Sequence, residues 1–271
     1  MDSTATPRAW LLGLYVPLAV LGVYRLWLNW IRDRAAVALY TCIIVGSVGE
    51  VSSALLLPPS PQSSAAAMLG DNCFVAAYLL IMYNWSVIAK RMDELRTTTA
   101  PVAVIAYVTM SGLAYTSDTV VFGAAMAFSA SGSINSSIAS HATDSLCWLR
   151  SATQAGVAAV SVLAVGLFPY YGHRMRNVLQ RVGEDSPRRM RNIASIAVTA
   201  AVYFACQGAD HIRSTLHVAS TCKGDTTRAI SSPLQNLDVI KPLCVLMLLV
   251  FLPRKPAPSK AGYVRLGSTN A

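Results

Sequence analysis

The feature that most constrains this chain is a set of seven long apolar stretches separated by short polar segments. A helix needs about 20 mostly apolar residues to cross a bilayer, and each stretch comes close to that length. Lipid offers no hydrogen-bond partners to a backbone, so helices, which pair their own backbone groups, are the expected form. The stretches are Trp10–Trp27, Ala35–Leu57, Met68–Ala89, Val102–Phe128, Thr153–Asn177, Ile193–Arg213 and Leu234–Leu252. The sequence therefore predicts an all-α membrane protein, a bundle of seven transmembrane helices.

The composition indicates a single membrane domain. Hydrophobic residues make up 54% of the chain and charged residues 13%, whereas a soluble domain carries about 25% charged residues. The segments between the apolar stretches are too short to hold a soluble catalytic domain. We therefore predict one transmembrane domain over residues 1–255 and a short, disordered cytosolic tail over residues 256–271.

The basic residues predict the orientation of the bundle. Most of the 22 Lys and Arg residues fall in the first, third and fifth loops and in the C-terminal tail. The positive-inside rule places these segments in the cytosol and the N-terminus in the lumen or outside the cell. This is a receptor-like topology. The net charge of +9 then follows from topology and from attraction to an anionic cytosolic leaflet, so no nucleic-acid partner is predicted.

The fifth loop joins the fifth and sixth predicted helices and concentrates the positive charge. Arginines flank a turn at residues 183–187. A short cationic cytosolic loop can dock an acidic protein and raise its association rate. The alternative is that these arginines only fix the topology and contact lipid phosphates. The arginines that we predict to bind a partner are Arg174, Arg181, Arg188, Arg189 and Arg191.

Four ionisable residues within or beside the spans are predicted to form a buried polar cluster. They are Glu50, Asp210, Asp238 and Lys241. Such groups cost about 2.5–3.5 kcal/mol or more inside a bilayer, so they should face the bundle interior and pair. Asp238 and Lys241 are three residues apart on one helix face, which favours an ion pair between them. Two roles stay open: a fixed clamp between helices, or a polar pocket open to the lumen for a ligand or a proton.

The predicted lumenal side carries cysteines and a glycosylation sequon. An oxidising compartment permits one disulfide among Cys73, Cys147 and Cys222. We prefer Cys73–Cys147, because a loop holding Cys147 can fold back over the third helix as it does in receptors. Three free thiols are the alternative, since spacing does not fix connectivity. The sequon begins at Asn135.

Three helices carry motifs that resemble a known family. The third has Tyr78 and Trp85 seven residues apart, the fifth ends in Tyr-Gly-His-Arg at 171–174, and the seventh runs through residues 237–242 to a proline. In this order they resemble the plant tobamovirus multiplication proteins and the related animal orphan lysosomal receptor-like proteins. Three residues depart from the family pattern: His173 replaces a glycine, Lys241 precedes the proline, and Glu50 stands where the family has arginine.

The resemblance implies a non-enzymatic, multi-pass protein of the vacuolar or lysosomal membrane, with the plasma membrane as the alternative location. Members of that family bind small Arf-like GTPases. The plant members are co-opted by viral replication proteins, and the animal members influence nutrient signalling. A small GTPase or another signalling protein is therefore the expected cytosolic partner, beside the lipid bilayer itself.

Two other functions fit parts of the sequence less well. A lysine in the seventh helix with a nearby aspartate suits a retinal Schiff base, with Lys241 as the attachment site and Asp238 as counter-ion. Microbial rhodopsins, however, place that aspartate four residues before the lysine rather than three. A zinc hydrolase needs several histidines converging on one metal, and the 4 histidines here are spread over both sides. We therefore predict no enzyme, no metal and no cofactor.

Overall fold

The computed structural model describes residues 9–29, 34–55, 61–92, 109, 112, 136–181, 186–222 and 237–252. These residues form six α-helices, numbered here in chain order. They are α1 (Ala9–Asn29), α2 (Arg34–Leu55), α3 (Pro61–Met92), α4 (Ser136–Arg181), α5 (Pro187–Cys222) and α6 (Leu237–Phe251). Over the described ranges the protein is all-α, as the sequence predicts.

Within those ranges, 5 helices are long and apolar enough to cross a membrane. The sixth, α6, contains a shorter apolar segment, Val239–Phe251. The predicted fourth span, Val102–Phe128, lies outside the described residues except for Thr109 and Gly112, and so does the tail 256–271. An α-helical architecture compatible with a membrane is thus confirmed, whereas the number of seven spans and the orientation stay predictions.

The outer surface of the helices is apolar. Trp27 is 74% exposed, Val20 64% and Val198 62%. Large apolar side chains are exposed in this way on all six described helices, although water does not solvate such surface favourably. The pattern fits helices whose outer faces contact lipid tails.

Three helices extend beyond the predicted spans. α4 begins at Ser136 rather than Thr153, α5 ends at Cys222 rather than Arg213, and α3 begins at Pro61. The 46 residues of α4 correspond to about 69 Å at 1.5 Å per residue, more than the roughly 30 Å of a hydrocarbon core. The helix ends were predicted at the points where the apolar stretches stop. A helix is stabilised by local backbone hydrogen bonds, however, so it can continue through polar sequence.

The helices form a closed ring. Successive helices contact each other from α1 to α3 and from α4 to α6, α3 contacts α4, and α1 contacts α6. Aromatic side chains fill the centre where α3, α4 and α5 meet. The Tyr78 ring lies 4.7 Å from Tyr203 and 6.1 Å from Phe168, and the Phe168 ring lies 5.5 Å from Phe204, measured between centroids. These separations are typical of favourable aromatic pairs.

Glycines bring α2 and α3 into close contact. A Cβ on Gly49 would lie 2.8 Å from the carbonyl oxygen of Ala66, and one on Gly70 would lie 3.0 Å from the carbonyl oxygen of Gly46. Small residues let membrane helices approach until their backbones touch. This contact fixes the position of α3 and, with it, of Asp71, which follows Gly70.

Candidate functional site

One end of the bundle carries exposed arginines. α4 ends and α5 begins here, so the connection between them lies at this end. Of the five arginines predicted to bind a partner, four are exposed and Arg174 is partly buried. We call this surface the basic end, and it comprises Arg174, Arg181, Arg188, Arg189 and Arg191. The structure therefore brings all five predicted partner-binding arginines to the same end of the α4–α5 pair.

The arginines of α5 stand where helix electrostatics disfavours them. A helix N-terminus carries a partial positive charge and is stabilised by acidic residues. The first turn of α5 has no acidic residue, and Arg188 and Arg189 lie in it. The helix dipole does not favour these arginines, so topology, anionic lipid or an acidic partner is a better explanation for their position.

A groove of about 310 Å³ follows the last turns of α4 at the basic end. It is lined by Tyr170, His173, Arg174, Asn177, Val178 and Arg181. The Asn177 Nδ2 donates a hydrogen bond of 3.1 Å to the His173 Nε2, which holds the imidazole along the helix. Two guanidinium groups in an open groove favour a carboxylate or phosphate group as the occupant.

The Tyr-Gly-His-Arg segment places its glycine at a contact between helices. A Cβ on Gly172 would lie 2.7 Å from the Cβ of Ala197 in α5 and 3.6 Å from the Trp85 ring in α3. Two residues that carry the family resemblance, Trp85 and Gly172, thus meet where α3, α4 and α5 converge. The close contact with α5 explains why residue 172 is a glycine. The neighbouring His173 does not take part in this contact and is exposed in the groove.

A buried arginine ties the ends of α1 and α6 together. Arg25 is only 3% exposed, and its Nη2 donates a hydrogen bond of 3.0 Å to the carbonyl oxygen of Leu249. That carbonyl lies in the last turn of α6, where carbonyls lack partners within the helix and a cation is favourable. The Asn29 Nδ2 donates to the carbonyl oxygen of Arg25 at 2.8 Å. The C-terminal ends of α1 and α6 therefore lie side by side.

An ion-pair cluster lies in the bundle interior, toward the opposite end. The Lys241 Nζ of α6 is 2.6 Å from the Asp210 Oδ2 of α5 and 3.7 Å from the Asp71 Oδ2 of α3. Only 11% of the lysine side chain is exposed. An ammonium group at this depth is costly unless it is paired, so carboxylates from two other helices stabilise it. We call Lys241, Asp210 and Asp71 the ion-pair cluster.

The structure places the four predicted cluster residues differently. Lys241 and Asp210 lie together, and the Glu50 Oε1 lies beside Gly70, where a Cβ would be 2.9 Å away. The side chain of Asp238 lies outside the described residues, so its pairing with Lys241 stays a prediction. Asp71 was missed, although it is an ionisable residue inside the predicted third span and the same cost argument selects it.

A chain of hydrogen-bonded side chains runs beside the ion-pair cluster. His211 of α5 is bonded through Nδ1 to the Oε1 of Gln154 in α4, and its Nε2 lies 2.9 Å from the Nε2 of Gln207. An amide oxygen only accepts, so the hydrogen is on Nδ1, and Nε2 accepts from the Gln207 amide. This leaves the buried Gln207 Oε1 without a partner among the described residues.

The predicted disulfide is not formed in the structure. Cys73 is a partly buried free thiol in α3. The preference for Cys147 rested on a loop that could fold back over the third helix, but residue 147 lies within α4. Asn135, the predicted glycosylation site, lies outside the described residues, immediately before α4.

Comparisons with known proteins add no family assignment. No protein-family model, no curated protein and no solved structure matches this chain. Within the described ranges, no group of three or more His, Cys, Asp or Glu side chains is placed to hold a metal ion. The family resemblance therefore rests on the sequence motifs.

Proposed function

We propose that this chain is a non-enzymatic, multi-pass protein of an endolysosomal or vacuolar membrane that recruits a cytosolic partner through its basic end. The observation that supports this most strongly is that four of the five predicted partner-binding arginines are exposed around the α4–α5 connection. In this proposal the basic end faces the cytosol, as the positive-inside rule predicts.

The charge of the basic end defines the chemistry of the partner. Several exposed guanidinium groups on one surface attract an acidic protein over a distance of about 8–10 Å at physiological ionic strength and raise its association rate. Arginine binds carboxylates through two parallel hydrogen bonds, which adds orientation to attraction. A small Arf-like GTPase with an acidic surface is the partner that the family resemblance favours.

Replacing Arg188, Arg189 and Arg191 together with glutamine is expected to weaken partner binding by about tenfold, since three exposed ion pairs are lost. The measurement is the amount of small GTPase that co-purifies with the solubilised protein, repeated at increasing salt. Binding of the unchanged chain should fall with salt, because exposed charges are screened.

The matched control replaces the same three arginines with lysine, which keeps the charge and the positive-inside signal. This variant should retain most of the salt-dependent binding. Protease protection of the C-terminal tail must show the same orientation in both variants. If the glutamine variant keeps its orientation and binds the GTPase as well as the unchanged chain, the proposal fails.

A retinal chromoprotein is a second candidate, favoured by the burial of Lys241 and its two carboxylate neighbours from separate helices. A protonated Schiff base needs such counter-ions. In the recruitment proposal the lysine instead keeps an unmodified ammonium group, which is paired with Asp210. We therefore expect no visible absorption band after expression with all-trans retinal. A band that disappears in Lys241→Ala would replace recruitment with the chromoprotein function.

A further inference from the structure

The groove at the basic end follows one face of α4. Its lining residues recur every three or four positions from Tyr170 to Arg181, which is the spacing of neighbours on a helix surface. The same face carries Val162 and Leu163 about two turns before Tyr170, and both side chains are exposed. An exposed apolar surface therefore leads directly into a polar, basic groove.

The groove lies at the depth where hydrocarbon gives way to lipid headgroups. The apolar span of α4, Gln154–Arg181, has 28 residues and is about 42 Å long at 1.5 Å per residue. A bilayer is about 40–45 Å thick with its headgroups, and the hydrocarbon core accounts for about 30 Å of this. When the span fills this thickness, the segment from Tyr170 to Arg181 crosses the boundary of the core. Arg181 then lies nearer to water than Arg174.

The lining of the groove favours an anion. Arg174 and Arg181 supply two guanidinium groups, and none of the six lining residues is acidic. The volume of about 310 Å³ suits a single headgroup, since small-molecule sites begin at roughly 300 Å³. The negative end of the helix dipole favours Arg181 in the last turn of α4, but it falls off within that turn and does not explain Arg174.

His173 adds another donor to the groove. Its Nε2 accepts a hydrogen bond from the Asn177 Nδ2, so the hydrogen of the neutral imidazole is on Nδ1. The groove thus combines two guanidinium groups with an imidazole N–H, and all three donate to an anion such as phosphate.

The spacing of the two arginines indicates two phosphates rather than one. Seven residues separate Arg174 from Arg181, which is a rise of about 10 Å along α4. One guanidinium group can bind one phosphate through two parallel hydrogen bonds. Two arginines at different depths therefore suit a ligand with two phosphates at different depths. A phospholipid whose headgroup carries a phosphomonoester has this form, because its diester phosphate lies at the glycerol and its monoester extends toward water.

We propose that this groove binds an anionic phospholipid whose headgroup carries a phosphomonoester, such as a phosphoinositide. Arg174 binds the diester phosphate and Arg181 binds the monoester, while the acyl chains follow the face of α4 that holds Val162 and Leu163. Basic pockets at the cytosolic ends of membrane helices suit such headgroups. The site lies on α4 and leaves the arginines at the start of α5 to a cytosolic protein, so it does not depend on the proposed recruitment.

The test compares two lipids on the purified full-length protein in detergent, with no GTPase present. Phosphatidylinositol 4-phosphate has the monoester, and phosphatidylinositol lacks it. Native mass spectrometry measures the fraction of protein that carries each lipid over a series of lipid concentrations. We expect the phosphorylated lipid to bind about tenfold more tightly, because it makes one more bidentate contact. Arg181→Gln should remove this tenfold difference and leave the binding of phosphatidylinositol unchanged.

The matched control is Arg176→Gln. Arg176 is an exposed arginine of the same helix that is not among the residues lining the groove. Its replacement removes the same charge from the same end of α4 and should leave the binding of both lipids unchanged. Arg174→Gln should weaken the binding of both lipids, because both carry the diester phosphate.

Three kinds of result would overturn the proposal. Equal binding of the two lipids, or equal losses in Arg181→Gln and Arg176→Gln, would mean that net charge alone attracts lipid. Inositol 1,4-bisphosphate has both phosphates but no acyl chains, and if it bound as tightly as the lipid, the groove would be a site for soluble phosphates. If neither lipid binds and Arg181→Gln instead reduces the amount of co-purifying GTPase, the groove belongs to the protein partner.

Discussion

Replacing Lys241 with methionine is expected to lower the free energy of unfolding by about 3–5 kcal/mol, because it leaves the Asp210 and Asp71 carboxylates in the bundle interior without their cation. Methionine keeps a long apolar side chain, so the packing around the lysine stem is largely retained. Thermal unfolding of the purified protein, followed by tryptophan fluorescence, should show a Tm lower by roughly 10 °C.

The double variant Lys241→Met with Asp210→Asn separates lost charge from lost packing. Asparagine removes the carboxylate that lies 2.6 Å from the ammonium, so the double variant should be more stable than the single one. If the two variants unfold at the same temperature, the ion pair does not stabilise the bundle. If Lys241→Met is as stable as the unchanged chain, the cluster described here is not formed.

Replacing Gly49 with leucine is expected to destabilise the bundle by about 1–3 kcal/mol, because the new side chain has no room between α2 and α3. Even its Cβ would lie 2.8 Å from the Ala66 carbonyl oxygen and 3.0 Å from the Gly70 amide nitrogen. Both are backbone atoms, so the two helices must move apart. The same unfolding experiment measures the loss as a lower Tm.

Gly166→Leu is the matched control for this prediction. A Cβ on Gly166 meets no atom within 4 Å, and the residue is exposed on α4. Its replacement should not lower the free energy of unfolding, because leucine has a higher helix propensity than glycine, by up to about 1 kcal/mol. Equal losses in the two variants would mean that leucine disturbs any helix of this protein, and the close α2–α3 contact would not be supported.

The helical architecture could be predicted from the sequence because the apolar stretches are long and local. The predicted span Ala35–Leu57 corresponds closely to α2, Arg34–Leu55. Helix ends were harder to place when they left the apolar region, as at Ser136 of α4 and Cys222 of α5. Hydropathy marks where a helix meets lipid, whereas the helix itself ends only where its backbone hydrogen bonds stop.

The pairing of interior charges could be predicted only in part. The cost of a buried lysine indicates that Lys241 needs a carboxylate, and the sequence offers Asp238 three residues away. The charged side chains that meet in the described structure are Lys241 of α6, Asp210 of α5 and Asp71 of α3. Such contacts depend on how the helices pack against each other. The spacing of residues along a single helix carries no information on that packing.

For the arginines, the position could be predicted from the sequence, but the role could not. Their place at the basic end follows from the sequence, since charge at helix ends is a local property. Their exposure in the structure is compatible with a bound protein, with bound lipid phosphate, or with a role in topology alone. An experiment that detects the partner separates these roles.

The most direct measurement of the central claim is proximity labelling with a biotin ligase fused after Ala271, compared between the unchanged chain and the Arg188→Gln, Arg189→Gln, Arg191→Gln variant. We predict that the unchanged chain labels cytosolic proteins, including a small GTPase, and that the variant loses the GTPase but keeps its membrane neighbours. Labelling of lumenal proteins, or an identical cytosolic set from both chains, would contradict recruitment through the basic end.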